Sequence, residues 1–337
     1  MQESFASARH KVYANLDFKH MKHIAAVVVT YNRKDLLMLC IDRLLQQDLT
    51  KIKQLYPDTT YDLDILIVDN ASTDRTQEEL QPLAASSLIM YYNTGSNLGG
   101  AGGFNFGMRK AVEAGYDYVW VMDDDCLAHP DALEELLLAD HKLQGDYGFL
   151  SSKALWKDGS ICTFNVQRHP LTKSITDFDK EIQPATLASF VSLFVPSKVI
   201  LELGLPIKDF FIWSDDWEFT RRISRQFPCY VVGTSVVDHY SQNNGKGNVA
   251  LDSPERIERY LLAYRNDVYW YKKEGIKGYS YLLSRALYHT LLVLLRSDSK
   301  KGLRLKTILR GNIEGFSFNP DIEYVKPLNK SLDKPSS

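Results

Sequence analysis

Residues 24–30 read Ile-Ala-Ala-Val-Val-Val-Thr, apolar and β-branched without alternation, which predicts a strand buried on both faces of a parallel sheet. A polar break at 31–34 gives way to helical spacing of apolar positions over 35–45. The order then repeats. A strand at 63–68 ends in a polar loop at 69–74, where Ser72 or Thr73 can cap a helix carrying Glu78 and Glu79 near its first turns. A third strand at 87–92 leads into the most glycine-dense stretch of the chain, 93–107, followed by a helix through 108–114 and an apolar strand from 118. Strands alternating with helices predict an α/β class with a mostly parallel, right-handed sheet, whose strand carboxyl ends carry the ligand-binding loops.

Beyond residue 150 the alternation loosens. The pattern predicts a helix at 131–143, strands at 148–151 and 185–195, and a hairpin turn at 157–160. The polar segment 168–181 reads as an acceptor-side loop, and a short helix starts at Pro196 and ends near Gly204. A helix beginning near Ser214, a strand at 229–237 and a loop at 241–248 follow. The last ninety residues are helical in character, with helices at 254–273 and 279–296, then a basic stretch at 296–310.

Composition narrows the class. A 45% hydrophobic content over 337 residues supports a substantial core, and a net charge of −2 gives no global reason to expect nucleic acid. Cys40, Cys126, Cys162 and Cys229 lie far apart without C-x-x-C spacing, which suits reduced cytoplasmic thiols better than a zinc knuckle or a disulfide framework. Residues 1–22 form a polar lead-in without the apolar core of a secretory signal, and no run reaches the length of a spanning helix.

Candidate chemistry sits at the strand ends. An apolar strand closing on Asp123, Asp124 and Asp125 puts the first and third carboxylates on one face, where a divalent cation would relieve their repulsion. Oxygen ligands suit Mg²⁺ or Mn²⁺ rather than zinc. The glycine stretch fails the G-x-G-x-x-G fingerprint, since Asn105 stands at its third position, and it lacks P-loop spacing; its glycines still let backbone N–H groups approach a phosphate or sugar. A second acidic group, Asp215, Asp216 and Glu218, lies among Phe210, Phe211, Trp213 and Trp217. A helix start explains the acids through its dipole; the aromatics suit a sugar platform or a dry wall that raises carboxylate basicity. His239 closes the later strand, placed to complete a metal site. An apolar helix followed by Arg296, Lys300, Lys301, Arg304, Lys306 and Arg310 suits either an anionic membrane surface or ordinary packing beside a solvated basic face.

Five motifs in order over residues 24–240 resemble the inverting family 2 glycosyltransferases of the GT-A fold: 28–33, 67–74, 97–104, the Asp123-Asp124-Asp125 triplet and 215–218. The glycine stretch, the run 211–218 and the following His239 are most similar to bacterial galactofuranosyltransferases, with rhamnosyltransferases using dTDP-rhamnose as the near alternative. The resemblance implies a UDP-galactofuranose donor held by Thr30, Arg33, Asp69, Asn97, Gly99, Gly100, Gly102, Gly103, Asp123 and Asp124. It implies Asp123, Asp125 and His239 as ligands of Mn²⁺ or Mg²⁺, Asp216 as catalytic base, and Trp213, Asp215, Trp217 and Glu218 toward a glycan or lipid-linked glycan acceptor. The corresponding organisation is a lead-in at 1–22, a nucleotide-sugar half at 23–150, an acceptor and catalytic half at 151–250, a helical region at 251–320 for membrane-surface docking, and a disordered tail at 321–337. Peripheral attachment at the inner face of the cell membrane is the expected location.

Overall fold

A computed structural model describes residues 21–241, 244–245 and 247–326. Of the expected lead-in at 1–22 and tail at 321–337, residues 1–20 and 327–337 lie outside these described residues, while Met21 and Lys22 are not lead-in but the start of the first strand. The first half alternates as its pattern predicts: β1 (Met21–Thr30), α1 (Lys34–Leu45), α2 (Thr50–Leu55), β2 (Thr60–Asp69), α3 (Thr76–Ala85), β3 (Met90–Asn93), α4 (Gly99–Glu113) and β4 (Tyr118–Asp123). Then come β5 (Cys126–Ala128), α5 (Ala132–Lys142), β6 (Leu150–Trp156), β7 (Ile182–Pro184), β8 (Leu193–Pro196), α6 (Ser197–Leu203), α7 (Asp215–Ser224) and β9 (Tyr230–His239). Three helices close the described chain: α8 (Arg259–Tyr271), α9 (Gly275–Arg296) and α10 (Lys301–Ser317).

The nine strands of the described residues join one sheet in the order β3-β2-β1-β4-β8-β6-β9-β5, with β7 on β9. The β3-β2-β1-β4 end is parallel, whereas β8, β5 and β7 run antiparallel to their neighbours. In β1, Ile24, Ala26 and Val28 pack into one core and Ala25, Val27 and Val29 into the other. Burial on both faces is what the unbroken apolar run requires, and each fully buried valine contributes roughly 1.5–3 kcal/mol. Register then aligns the strand ends. Thr30 pairs with Asp69, Asp69 with Asn93, and Val29 with Asp123, so the polar residues after each apolar run meet on one edge.

Several expectations are corrected. Residues 99–107 are helix, not loop, because α4 lies so close to the sheet that only glycine fits: a Cβ on Gly103 would stand 2.5 Å from Val29 Cγ1, and one on Gly107 2.3 Å from Val27 Cγ1. Close packing overrides glycine's poor helix propensity. The α3 amino end is satisfied by the Asp74 carboxylate, which accepts from Thr76 N at 3.2 Å and Lys34 N at 3.1 Å, rather than by Ser72 or Thr73. The predicted strand at 185–195 is regular only from Leu193. Residues 321–326, expected as disordered tail, are tied to the body. There the Glu323 carbonyl accepts from Leu205 N at 2.8 Å, its carboxylate meets Arg109 and Lys208, and Val325 is buried.

Candidate active site

The acidic triplet occupies the end of β4 and the turn into β5, so strict strand alternation no longer separates its carboxylates, and Arg33 Nη1 reaches both Asp124 and Asp125. Asp124 turns back to β1, accepting from Thr30 Oγ1 at 2.8 Å and from Arg33 Nη1 at 3.2 Å. Asp125 accepts from Arg33 Nη1 at 2.6 Å and lies 3.0 Å from His239 Nε2, brought there by the pairing of β5 with β9. Asp123, Asp125 and His239 each offer one ligand atom, all within 4.8 Å of one another. Asn165 Oδ1 lies 2.8 Å from His239 Nδ1, a contact that fixes the ring and directs Nε2 at the carboxylates.

Burial pushes the Asp123 carboxyl up to about 6, reinforced by the Asp125 charge, and it pushes Asp124 up to about 7. Burial works the same way on Asp125, but the His239 hydrogen bond and charge, together with Arg33, outweigh it and hold the carboxyl below its ordinary value. His239 is raised to about 10; burial opposes its protonation, and the Asp125 hydrogen bond and charge prevail. The two carboxylates thus hold a cation beside them even in the imidazolium form. A divalent ion fits this donor set of oxygens and one nitrogen, with His239 then binding as the neutral ring.

Facing the triplet is the amino end of α7. Burial raises Asp215 to about 7; burial and the Asp215 charge raise Asp216 well above the carboxylate range, and Asp123 adds to both. The Asp123 charge, felt at both Asp215 and Asp216, puts the two acidic groups within electrostatic reach of each other. Asp216 is half-buried, and its Oδ1 accepts the Trp217 N–H at 2.7 Å. Glu218, expected on the acceptor side, is instead 3% exposed and committed to Arg222 at 3.0 Å, whose guanidinium also bonds carbonyls at 203–205. Trp213 packs against Tyr260, and the Trp217 ring is covered by the Arg168 guanidinium 4.4 Å away.

The loop before α7 is strained. Phe211, Trp213 and Ser214 have φ of 63°, 67° and 65°, each in a region costly for side-chain-bearing residues. Asn266 of α8 holds it: the fully buried amide donates to the carbonyls of Phe210, Ile212 and Trp213 at 3.0, 3.1 and 3.0 Å. Asp267 beside it accepts from Ser214 Oγ at 2.5 Å and pairs with Arg285 of α9 at 2.8 Å. Sequence alone assigned Asn266 no role; the signal available was an uncharged polar residue amid the apolar Tyr264, Val268 and Tyr269, all buried.

Of the expected donor residues, Thr30 and Asp69 are buried and Arg33 is exposed. Asp69 accepts from Ser72 N at 2.8 Å and Tyr91 OH at 2.6 Å, leaving each carboxylate oxygen one further acceptor position. The exposed Asn97 accepts from Gly99 N at 2.8 Å. Gly99, with φ 70°, abuts the Phe211 carbonyl, while Gly102 and Gly103 face Leu98 and Val29; Gly100 has open space beside it. Three of the four glycines therefore serve packing that fixes the helix start, and Gly100 is left facing open space.

Residues 25–146 match the model of glycosyl transferase family 2, a span that contains the triplet and ends before Asp216. Galactofuranosyltransferase GlfT1 of Mycolicibacterium smegmatis is 24% identical over 294 residues, 79% of this chain and 92% of that protein. The protein of the same name from Mycobacterium tuberculosis is 27% identical over 271 residues, 75% of this chain and 84% of its own. Among solved structures, GalNAc-T7 with UDP, GalNAc and Mn²⁺ aligns at TM-score 0.53 and 15% identity, covering 88% of this chain and 56% of that one. S. aureus TarS 1–349 aligns at 0.51 and 13%, covering 88% and 72%. At such identities the solved structures establish the fold alone, and it is the GT-A fold. Residues 25–146 are thus a glycosyl transferase family 2 domain, and the protein is a transferase of the glycosyltransferase class.

Proposed function

We propose that the enzyme transfers galactofuranose from UDP-galactofuranose to a hydroxyl of a cell-envelope, capsular or O-antigen glycan, with inversion. The observation carrying this reading is the pairing of a cation-binding cluster, Asp123, Asp125 and His239, with a basicity-raised carboxylate, Asp216, that its charge reaches. The sugar assignment rests on the two GlfT1 relatives, matched over 84–92% of their length. Thr30 and Asp69 suit contacts to the uracil and ribose, and the open side of Gly100 suits the donor diphosphate and sugar.

Transfer passes through an oxocarbenium-like state, so inversion needs one base on the face opposite the leaving group. Asp216 takes the proton of the acceptor hydroxyl as the new glycosidic bond forms. Its burial keeps it basic enough for that step. Asp215 raises that basicity further, and Arg33 supplies positive charge beside the departing diphosphate. A cation held by Asp123, Asp125 and His239 would offset the negative charge growing on that leaving group. Asp216→Asn removes the proton acceptor and keeps the shape, so transfer should fall by at least about 10²-fold. UDP binding, followed by calorimetry, should stay within about twofold; ordinary turnover in this variant would exclude Asp216 as base.

The acceptor in this reading is lipid-linked. No helix among the described residues is long and apolar enough to cross a membrane. α9 and α10 nevertheless expose Ile276, Leu283, Leu287, Leu291, Leu295 and Ile313, each at 57% or more, beside the exposed Arg296, Lys300, Lys301 and Lys306. Arg304, by contrast, is buried and bonds carbonyls of Val249 and Asp252. Such a face suits shallow docking on an anionic bilayer at the cytoplasmic side.

A further inference from the structure

Arg168 is a cation that forms no ion pair among the described residues, although it lies at the proposed reaction centre. Its backbone is fixed on both sides: its N–H donates to the Leu187 carbonyl at 3.0 Å, and its own carbonyl accepts from Thr186 and Leu187 at 2.8 and 3.0 Å. The side chain then lies flat on Trp217, guanidinium carbon 4.4 Å from the ring centre. Its Nε is buried with no hydrogen-bond partner among the described residues. None of the ion pairs among the described residues includes it. Leaving such a donor unmet costs about 1–3 kcal/mol, more for a charged group. A preorganised guanidinium fork in that state is built to receive something.

The neighbourhood says what. Arg168 rests on Trp217, whose N–H donates to Asp216, the residue that takes the acceptor proton, so the guanidinium lies on the acceptor side of the site, and its positive charge is felt at Asp216. The acidic turn on the donor side already has its own guanidinium, Arg33. Two parallel N–H groups of a guanidinium match two oxygens of a phosphoryl or carboxylate group. Resting on the glycosyl-transfer reading above, we infer that Arg168 binds an oxyanion carried by the acceptor, a phosphoryl or carboxylate group close to the hydroxyl that is glycosylated. Arg168 is then a specificity residue: it favours acidic acceptors over neutral glycans of the same shape. The face of Trp217 it covers is correspondingly unavailable as a sugar platform.

The test uses the full chain with saturating UDP and Mn²⁺, so that the donor side is filled, and titrates phenyl phosphate and benzoate by calorimetry into wild type, Arg168→Met and Arg168→Lys. Wild type should bind at least one of the two, with affinity about tenfold or more lower in Arg168→Met, as loss of a charge-assisted bidentate pair implies. Arg168→Lys, which keeps the charge and loses the fork, should fall between them, and it serves as the comparison if the methionine variant does not fold. Preference for phenyl phosphate would assign a phosphoryl group, and preference for benzoate a carboxylate. Absence of binding to wild type, or equal binding in all three proteins, overturns the inference. So does a tenfold loss of UDP affinity in Arg168→Met with aryl-anion binding unchanged, which would give Arg168 to the donor diphosphate. Failure of wild type to release UDP from any nucleotide sugar would count against the transfer reading instead, and leaves the anion titration to be read on its own.

Discussion

Asn266→Ala removes the amide that holds three successive carbonyls of the loop before α7, while touching neither proposed substrate. The two N–H groups of the Asn266 amide are shared among three carbonyls at 3.0–3.1 Å, and at a net of about 0.5–1.5 kcal/mol per neutral hydrogen bond the clamp amounts to about 1–3 kcal/mol. The released loop contains three left-handed residues, each costing about 1–2 kcal/mol where it stands. Without the clamp they can relax, and Asp216 moves with them because Ser214 is the residue from which α7 starts. Thermal unfolding should drop by about 2–6 °C, at roughly 2 °C per kcal/mol for a chain of this size. A displacement of about 1 Å at the base should lower kcat by about 10²-fold. UDP affinity, set on the other side of the site, should change less than about threefold. Asn266→Asp, which turns an acceptor toward the three carbonyls, should be worse than alanine. A folded Asn266→Ala protein with kcat within about threefold of wild type would refute the assignment of Asn266 as the residue that positions Asp216.

Other outcomes follow from the same geometry. The base must be ionised to act, so kcat should rise with pH along a limb centred above the ordinary carboxylate range. Asp215→Asn removes a charge that raises Asp216 and should shift that limb to lower pH; a limb that stays or moves upward would contradict the coupling. Gly103→Ala forces a Cβ to 2.5 Å from Val29 Cγ1 and should cost about 1–3 kcal/mol in denaturant titrations, part of which Val29→Ala recovers. Vesicles containing phosphatidylglycerol should co-sediment the protein where neutral vesicles do not, and replacing Leu283, Leu287 and Leu291 with serine should abolish it; equal sedimentation of the variant would remove α9 from the docking face.

The strand-and-loop half of the fold was legible because each buried strand is an unbroken apolar run that ends where polar residues begin. Register then delivers Thr30, Asp69 and Asp123 to one edge without further information. The glycine stretch was misread as loop because composition speaks for local flexibility, whereas its four-residue spacing, Gly99, Gly103 and Gly107, encodes a helix face pressed on neighbouring backbone and side chains. Glu218 was misplaced for a related reason. Acids at a helix start look alike in sequence, and only the fold separates Asp216, facing the site, from Glu218, paired one turn later with Arg222. Asn266 lies more than fifty positions from the Phe210–Trp213 carbonyls it holds, and Arg168 nearly as far from Trp217. No periodicity records such contacts.

The most direct measurement is release of UDP or dTDP by the purified full chain, with and without Mn²⁺, from a panel of the galactofuranose, galactopyranose, glucose and rhamnose donors. Release from UDP-galactofuranose alone, dependent on the metal and lost in Asp216→Asn, is the expected result. Turnover of dTDP-rhamnose in place of it would keep the fold, cluster and base and contradict the sugar assignment; release from none of the four would contradict the proposed function itself.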